Sequence, residues 1–470
     1  MWTTPPATTA LGAQGVATVY SKGPLRAWLK VAGASCACFV TLGVASTFGA
    51  YQKHYESHLL SAYSASEIAW IGSVQVFLLS FVGIFSGAAF DRGYVHRVYL
   101  PGVLLAAVGL MTLSWAKNYW QVMLAQGVYF GLGSGLIYAP AIATVSNEFE
   151  RSNHRSIALG ISAAGSPLGG IILSIMFDRI LRSHELGCTN CILASLVIGL
   201  AVLAFVGNGK PCSQNDRRTH AGAQQDANNR GLSGMKKALL AHPTWPYWCL
   251  CIGMFFAFLG YWVPYSYIVV FASSSLDVST MSPSYLLTII NAGSFVSRVL
   301  PAYYICADGT AVLLLAGTTS SGILVLVWTS IHNLPGIVVW CLFVGFSLGI
   351  IASVANDVAT SLSERSNRGV RIGFMWTIAA AAELAGSPIA GRLMKKKSHD
   401  QGHDHCFWAQ VFGGVCILVG AGFLLKPAWP TLKRIGRWVA QVCSWGKTIE
   451  IERMDGYCPL YEPRGLQNPL

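Results

Sequence analysis

Long apolar runs separated by short polar breaks set the pattern of this chain. A helix that crosses a bilayer needs roughly 20 mainly apolar residues. Runs of that kind fall at about 28–50, 66–90, 97–116, 119–145, 156–178, 190–207, 245–271, 283–305, 310–331, 335–358, 371–393 and 406–425. The longest polar break, 208–243, follows the sixth run, has no aromatic residue and reads as a flexible linker. The pattern predicts an all-α membrane protein with twelve transmembrane helices in two six-helix halves around a central cavity. The expected segments are an N-terminal tail 1–27, a first half 28–207, the linker 208–243, a second half 244–425 and a C-terminal tail 426–470. Within that tail, Lys433-Arg-Ile-Gly-Arg437-Trp438 suits either a helix on the inner leaflet or a solvated segment.

The two halves repeat. Val145-Ser-Asn-Glu148 returns as Val354-Ala-Asn-Asp357, Glu150-Arg-Ser-Asn153 as Glu364-Arg-Ser-Asn367, and Gly165-Ser-Pro167 as Gly386-Ser-Pro388. Each match is short, but three in one order indicate duplication. The copies differ at one point. Glu383 stands three residues before the second Gly-Ser-Pro, where the first copy has Ser162.

Composition agrees with the pattern. Only 11% of residues are charged and 53% are hydrophobic, against about 25% charged in soluble domains. The 49 glycines suit helices that pack closely in lipid. The net charge of +12 fits basic loops facing the cytoplasm. No nucleic-acid-binding motif is present, and no P-loop, nucleophile elbow or zinc-protease motif points to an enzyme. With both termini cytoplasmic, twenty-three of the 32 Lys and Arg lie on the cytoplasmic side and eight outside. Arg392 and Lys395-Lys-Lys397 run against that orientation. Most of the 13 Cys fall in apolar runs; Cys188-Thr-Asn-Cys191 reads as a loop pair, open between a disulfide, a redox pair and no function. His399-Asp400, His403-Asp404-His405 and Cys406 have metal-ligand chemistry but no second cluster, so no metal site is assigned.

Twelve helices in two halves resemble the major facilitator superfamily. Gly87-Ala-Ala-Phe-Asp91-Arg92-Gly93, with Arg97 beyond, is similar to its signature loop G-x-x-x-D-R-x-G. The resemblance implies that Gly87, Asp91, Arg92 and Arg97 form a gate whose carboxylate meets a helix N-terminus of the other half. A narrower resemblance is to the monocarboxylate porter branch, especially its fungal members. It rests on Gly23-Pro-Leu-Arg-Ala-Trp28, Phe48-Gly-Ala-Tyr-Gln52 with Tyr55-Glu56, Gly165-Ser-Pro-Leu-Gly-Gly170, and the position of Arg298. That branch carries an Asp one turn before the Arg, where Ser294 stands here. Its helix-1 Lys has no counterpart near Gly49 and Ala50.

Arg298 lies mid-run, where an ionised side chain is costly and turns to the bundle interior. Its planar fork matches a carboxylate, so it reads as a substrate-anion group or as half of an ion pair. Glu383 is the other deep charge: a partner for Arg298, a coupling group, or a site for a cation. Asn291, Gln126 and Tyr138 are further candidates for substrate binding, with Gln75 as a neutral lining residue. Trp262, Tyr265, Tyr267, Trp376 and Trp408 are candidate aromatic walls. Gly165, Pro167, Gly169 and Gly170, with Gly386 and Pro388 in the second copy, read as helix packing or hinge positions. The expectation is a secondary transporter that moves a small, anionic organic molecule across a lipid bilayer, without a cofactor and with proton coupling left open. Export of a fungal secondary metabolite or organic acid across the plasma membrane is favoured. Uptake of a monocarboxylate or vitamin-like nutrient is the alternative, and a non-transporting sensor is the alternative of another class.

Overall fold

Apolar runs become helices because, in hydrocarbon, each backbone N–H and C=O must bond within its own segment. A computed structural model describes residues 24–91, 94–149, 152, 154–208, 244–275, 281–300, 309–363, 368–394 and 406–445. The first half contains α1 (Leu25–Leu59), α2 (Ala65–Asp91), α3 (Val95–Leu113), α4 (Tyr119–Glu148), α5 (Arg155–Leu181) and α6 (Leu186–Asn208). The second contains α7 (Trp245–Ser274), α8 (Tyr285–Val299), α9 (Thr310–Ser330), α10 (Leu334–Ser361), α11 (Arg368–Leu393) and α12 (Phe407–Trp445). Eleven of these are long and apolar enough to cross a membrane; α8 has 15 described residues, and its apolar run continues in sequence beyond them.

Two helices exceed by more than ten residues the lengths read from hydropathy. At ~1.5 Å per residue, α1 reaches about 52 Å, well past a hydrocarbon core of about 30 Å. It is not uniform: π-helical turns occupy Phe39–Gly43 and Tyr55–Leu59, and a third π segment, Met123–Tyr129, lies in α4. Helix α12 continues through Pro427 and Pro430 to Trp445, where the sequence pattern predicts a tail from 426. A proline removes one helical hydrogen bond and bends the helix; here the buried Ala428 and Thr431 hold that stretch against the bundle. Helix α7 is interrupted at Trp262, two residues before Pro264.

Packing follows the duplication. In the first half α5 lies on α1, and in the second α11 lies on α7. The repeated Gly-Ser-Pro glycines permit both contacts. A Cβ at Gly165 would strike the backbone of Ser35 on α1, and one at Gly386 the backbone of Leu259 on α7. The halves meet along α2 with α11, α5 with α8, and α1 with α7.

An even number of helices brings both ends of the bundle's chain to one face, the terminal face; the loops after α1 and α3 lie on the opposite, distal face. Cross-half contacts gather toward the distal face. Ser66 donates to the Pro388 carbonyl at 2.8 Å, Ser282 donates to Asp178, and the Arg179 guanidinium lies 6.0 Å from the Tyr285 ring centre. Near the terminal face, Arg155 of the first half acts electrostatically on the exposed Asp357 of the second without forming a described ion pair.

Candidate functional site

Among the described residues the buried charged side chains are Arg298, Arg371 and Glu383, and Arg371 donates to the Leu362 carbonyl at 3.2 Å. Arg298 is only 7% exposed, near the described end of α8. One terminal nitrogen donates across the seam to the Ala163 carbonyl of α5 at 3.0 Å. The Tyr261 hydroxyl of α7 lies within hydrogen-bonding reach of the guanidinium and of Tyr265. Among the described residues the Nε has no hydrogen-bond partner. A desolvated guanidinium with an unbonded N–H has the chemistry to hold an anion.

Glu383 is 4% exposed on α11. The sequence left open an ion pair with Arg298; among the described residues none forms. The carboxylate instead accepts from Ser80 Oγ of α2 at 2.8 Å and from Trp262 Nε1 of α7 at 3.3 Å. Both donors are neutral, and they come from opposite halves. The half-buried Tyr138 of α4 lies within electrostatic range of both Arg298 and Glu383, and of Cys38 on α1. Arg298, Glu383, Tyr138, Tyr261, Trp262 and Ser80 thus form one group between the halves.

The duplication gives this group its geometry. The second and fifth helices of each half form the two related seams, α8 with α5 and α2 with α11. Each seam carries one polar link to a buried charged side chain among the described residues: Arg298 to Ala163, and Ser80 to Glu383. Ser162, the first-half counterpart of Glu383, bonds back to Ala158 O of its own helix at 2.8 Å.

Other sequence candidates separate from the group. Gln126 is buried and accepts from the Tyr55 hydroxyl at 2.8 Å, a link between α4 and α1 inside the first half. Asn291 donates to Leu287 O of its own helix at 2.8 Å and packs over Gly170, where a Cβ would strike it and Ser46. Gln75 is buried, and neither end of its amide is bonded among the described residues. Tyr267 donates to Ser387 O at 2.7 Å, Trp376 donates to Asn356 Oδ1 at 2.7 Å, and Trp408 is 51% exposed on the outside of α12. Gly169 packs on Phe39 and Gly43 of α1, while Pro167 and Pro388 lie inside α5 and α11.

At the gate, Gly87 has open space around its Cα, and Arg97 lies 5.2 Å from the Tyr94 ring centre. The side chain of Asp91, together with Arg92, lies outside the described residues, as do Glu150, Arg151, Asn153 and 364–367 of the repeat and residues 395–405. Cys188 and Cys191 lie in the first turns of α6 rather than in a loop, and both thiols are free. Among the described residues no three metal-ligating side chains come together.

Two features of the site escape sequence reading. Ser80 is one serine among many in apolar helices, and only the fold sets it against Glu383. Tyr261 draws no attention until α7 breaks beside it; the faint signal is Trp262-Val-Pro264, an aromatic before a proline inside an apolar run. The absent helix-1 Lys also gains a reason. Gly49 lies directly on the Tyr265 carbonyl of α7, and no side chain fits there.

The sequence model of the Major Facilitator Superfamily matches residues 31–382. An MFS-type transporter of Aspergillus fumigatus is 31% identical over 402 residues, covering 84% of this chain and 90% of that one. The agnestins efflux protein AgnL12 of Paecilomyces divaricatus is 30% identical over 417 residues, with 89% and 90% covered. The fujikurins efflux protein of Gibberella fujikuroi is 29% identical over 420 residues, with 88% and 85% covered.

Proposed function

Because the chain belongs to the Major Facilitator Superfamily and is a multi-pass membrane transporter of a small molecule, not an enzyme, we propose that it exports a fungal secondary metabolite or organic acid. Two relatives named as efflux proteins support the direction. The substrate is anionic. The observation that carries this is Arg298: buried, unpaired by any described carboxylate, and with a free Nε. Tyr138 lies beside it as a wall of the substrate site, and Asn291 sits on the same α8–α5 seam over Gly170.

The motifs around Trp28, Phe48 and Gly165 support assignment to the monocarboxylate porter branch, with Ser294 and Gly49 as departures from its proton-coupling set. In this chain Glu383 takes over coupling. Protonation at either oxygen neutralises the carboxylate and weakens its hold on Ser80, the link to the other half. The halves then rock about Arg298, while Gly87, Asp91, Arg92 and Arg97 lock and release the terminal face. The Gly165 to Gly170 stretch and Gly386 with Pro388 are the packing hinges. Both termini face the cytoplasm, and the membrane is the plasma membrane.

Proteoliposomes loaded with a panel of aromatic acids test the reading. An outwardly directed acid flux that responds to an imposed pH gradient, with Glu383→Gln still transporting but blind to that gradient, is the expected result. An unaltered pH response in Glu383→Gln removes the coupling role. Uptake without efflux would favour the nutrient porter.

A further inference from the structure

Tyr261 and Trp262 are consecutive residues with different duties. Tyr261 ends the first segment of α7, and its hydroxyl reaches Arg298. Trp262 is the residue of the break, and its indole donates to Glu383 at 3.3 Å. Pro264 lacks an N–H, so the Gly260 carbonyl cannot receive the usual helical bond from four residues on, and the backbone here can pivot. The side chains cannot pivot independently. The Tyr261 and Trp262 rings meet edge to face at 5.4 Å, Trp262 meets Tyr265 at 5.5 Å, and Tyr261 stacks on Phe258 at 4.8 Å. A movement of one ring displaces the others, because packed cores shift between discrete arrangements and do not deform smoothly.

We propose that Trp262 is a positioning residue that ties the protonation of Glu383 to the grip of Arg298 on its anion, through the break in α7 and the Tyr261 hydroxyl. The inference rests on the coupling role given to Glu383 above. With Glu383 ionised, the Trp262 N–H has a charged acceptor, and the break is held so that Tyr261 reaches the guanidinium. When a proton adds to a carboxylate oxygen and forms an O–H bond, that acceptor is neutralised and the indole bond weakens. The break relaxes, Tyr261 withdraws, and Arg298 binds its anion differently. Coupling then needs no contact between Arg298 and Glu383, in agreement with the missing ion pair. The charge of Glu383 reaches two titratable groups, Tyr138 of α4 and Tyr261 of α7, and Arg298 of α8 acts on both tyrosines. From α2 the facing group is Ser80, and no charged group of the described α10 or α12 acts on Glu383.

The test needs no ligand. The protonated-carboxyl stretch of the full-length protein in liposomes is followed by infrared difference spectroscopy as pH is varied, and the Glu383 band is the one lost in Glu383→Gln. Trp262→Phe keeps a ring in place and removes the N–H; it moves the midpoint of that band toward higher pH by about one unit, a tenfold change in proton affinity. Tyr261→Phe moves the midpoint by a smaller amount in the wild-type background, and this shift disappears in Trp262→Phe. Thermal unfolding of each variant confirms that the bundle is intact. An unmoved midpoint in Trp262→Phe, or a Tyr261→Phe shift of equal size in both backgrounds, overturns the relay and leaves Glu383 coupling standing. If Glu383→Gln removes no titrating band, the coupling reading itself fails.

Discussion

Adding one methyl group at Gly165 is expected to push α5 away from α1. The ideal Cβ would sit 2.7 Å from the Ser35 carbonyl carbon and 2.8 Å from its Cα, and closer still to its oxygen. Those are backbone atoms, which no rotamer change can move aside. Restoring ordinary contact requires the helices to part by about 1 Å, and overpacking of this kind costs about 1–3 kcal/mol. Alanine returns ~1 kcal/mol through helix propensity, and a clash with fixed backbone puts the cost toward the upper end of that range, so Gly165→Ala loses about 1–2 kcal/mol. Gly199 on α6 gives the control, because its Cβ would meet nothing within 4 Å. There the same substitution is neutral or stabilising by up to ~1 kcal/mol. The assay is the temperature at which the detergent-solubilised full-length protein loses its monodisperse chromatographic peak. Gly165→Ala should fall below wild type and Gly199→Ala should not. Equal stability of Gly165→Ala and wild type would refute the packing argument, and so would an equal loss in both variants.

Two further substitutions probe the first half. Tyr55→Phe removes the hydroxyl that Gln126 Oε1 accepts from and strands a buried amide oxygen; a loss of about 1–3 kcal/mol in thermal stability is expected, with substrate preference unchanged, and an altered preference would move Gln126 into the substrate site. Lys30→Met removes the ion-pair partner of Glu148, whose side chain is 8% exposed. Breaking a fully buried pair costs about 3–5 kcal/mol; with Lys30 21% exposed the loss should fall at or below the lower end, about 3 kcal/mol, partly recovered in the double variant with Glu148→Gln, and a double variant less stable than Lys30→Met would contradict that account.

Much of the architecture is legible because apolar length and helix spacing are local properties. The run boundaries, the two halves and the Gly-Ser-Pro repeat can be read without knowing what packs on what. Where long helices overrun the pattern, as in α12 past Pro427, the sequence misleads because proline signals a stop that tertiary packing overrides. Of the candidate site, the two charges and the aromatic residues Tyr138 and Trp262 are legible in the sequence. Arg298 and Glu383 stand out because a charge at membrane depth is costly. Their partners do not, because Ser80, Tyr261 and the Ala163 carbonyl become polar contacts only when the halves meet. The duplication marks the place: Glu383 replaces Ser162 in an otherwise repeated frame, and the links to Arg298 and Glu383 fall on the two related seams. Gln126 shows the converse, a polar residue in an apolar run whose described bond is an internal one to Tyr55.

Transport by Arg298 variants is the most direct test of the central claim. Full-length protein in liposomes is given a series of aromatic acids and their methyl esters, and flux is compared for wild type, Arg298→Lys and Arg298→Ala. A charge-assisted hydrogen bond contributes about 1.5–3 kcal/mol, so Arg298→Ala should lower acid transport about 10- to 100-fold at limiting substrate while ester flux changes little. Arg298→Lys should recover part of the acid flux, since it keeps the charge and loses the fork. Acid transport by Arg298→Ala at the wild-type rate would contradict an anion site at this residue.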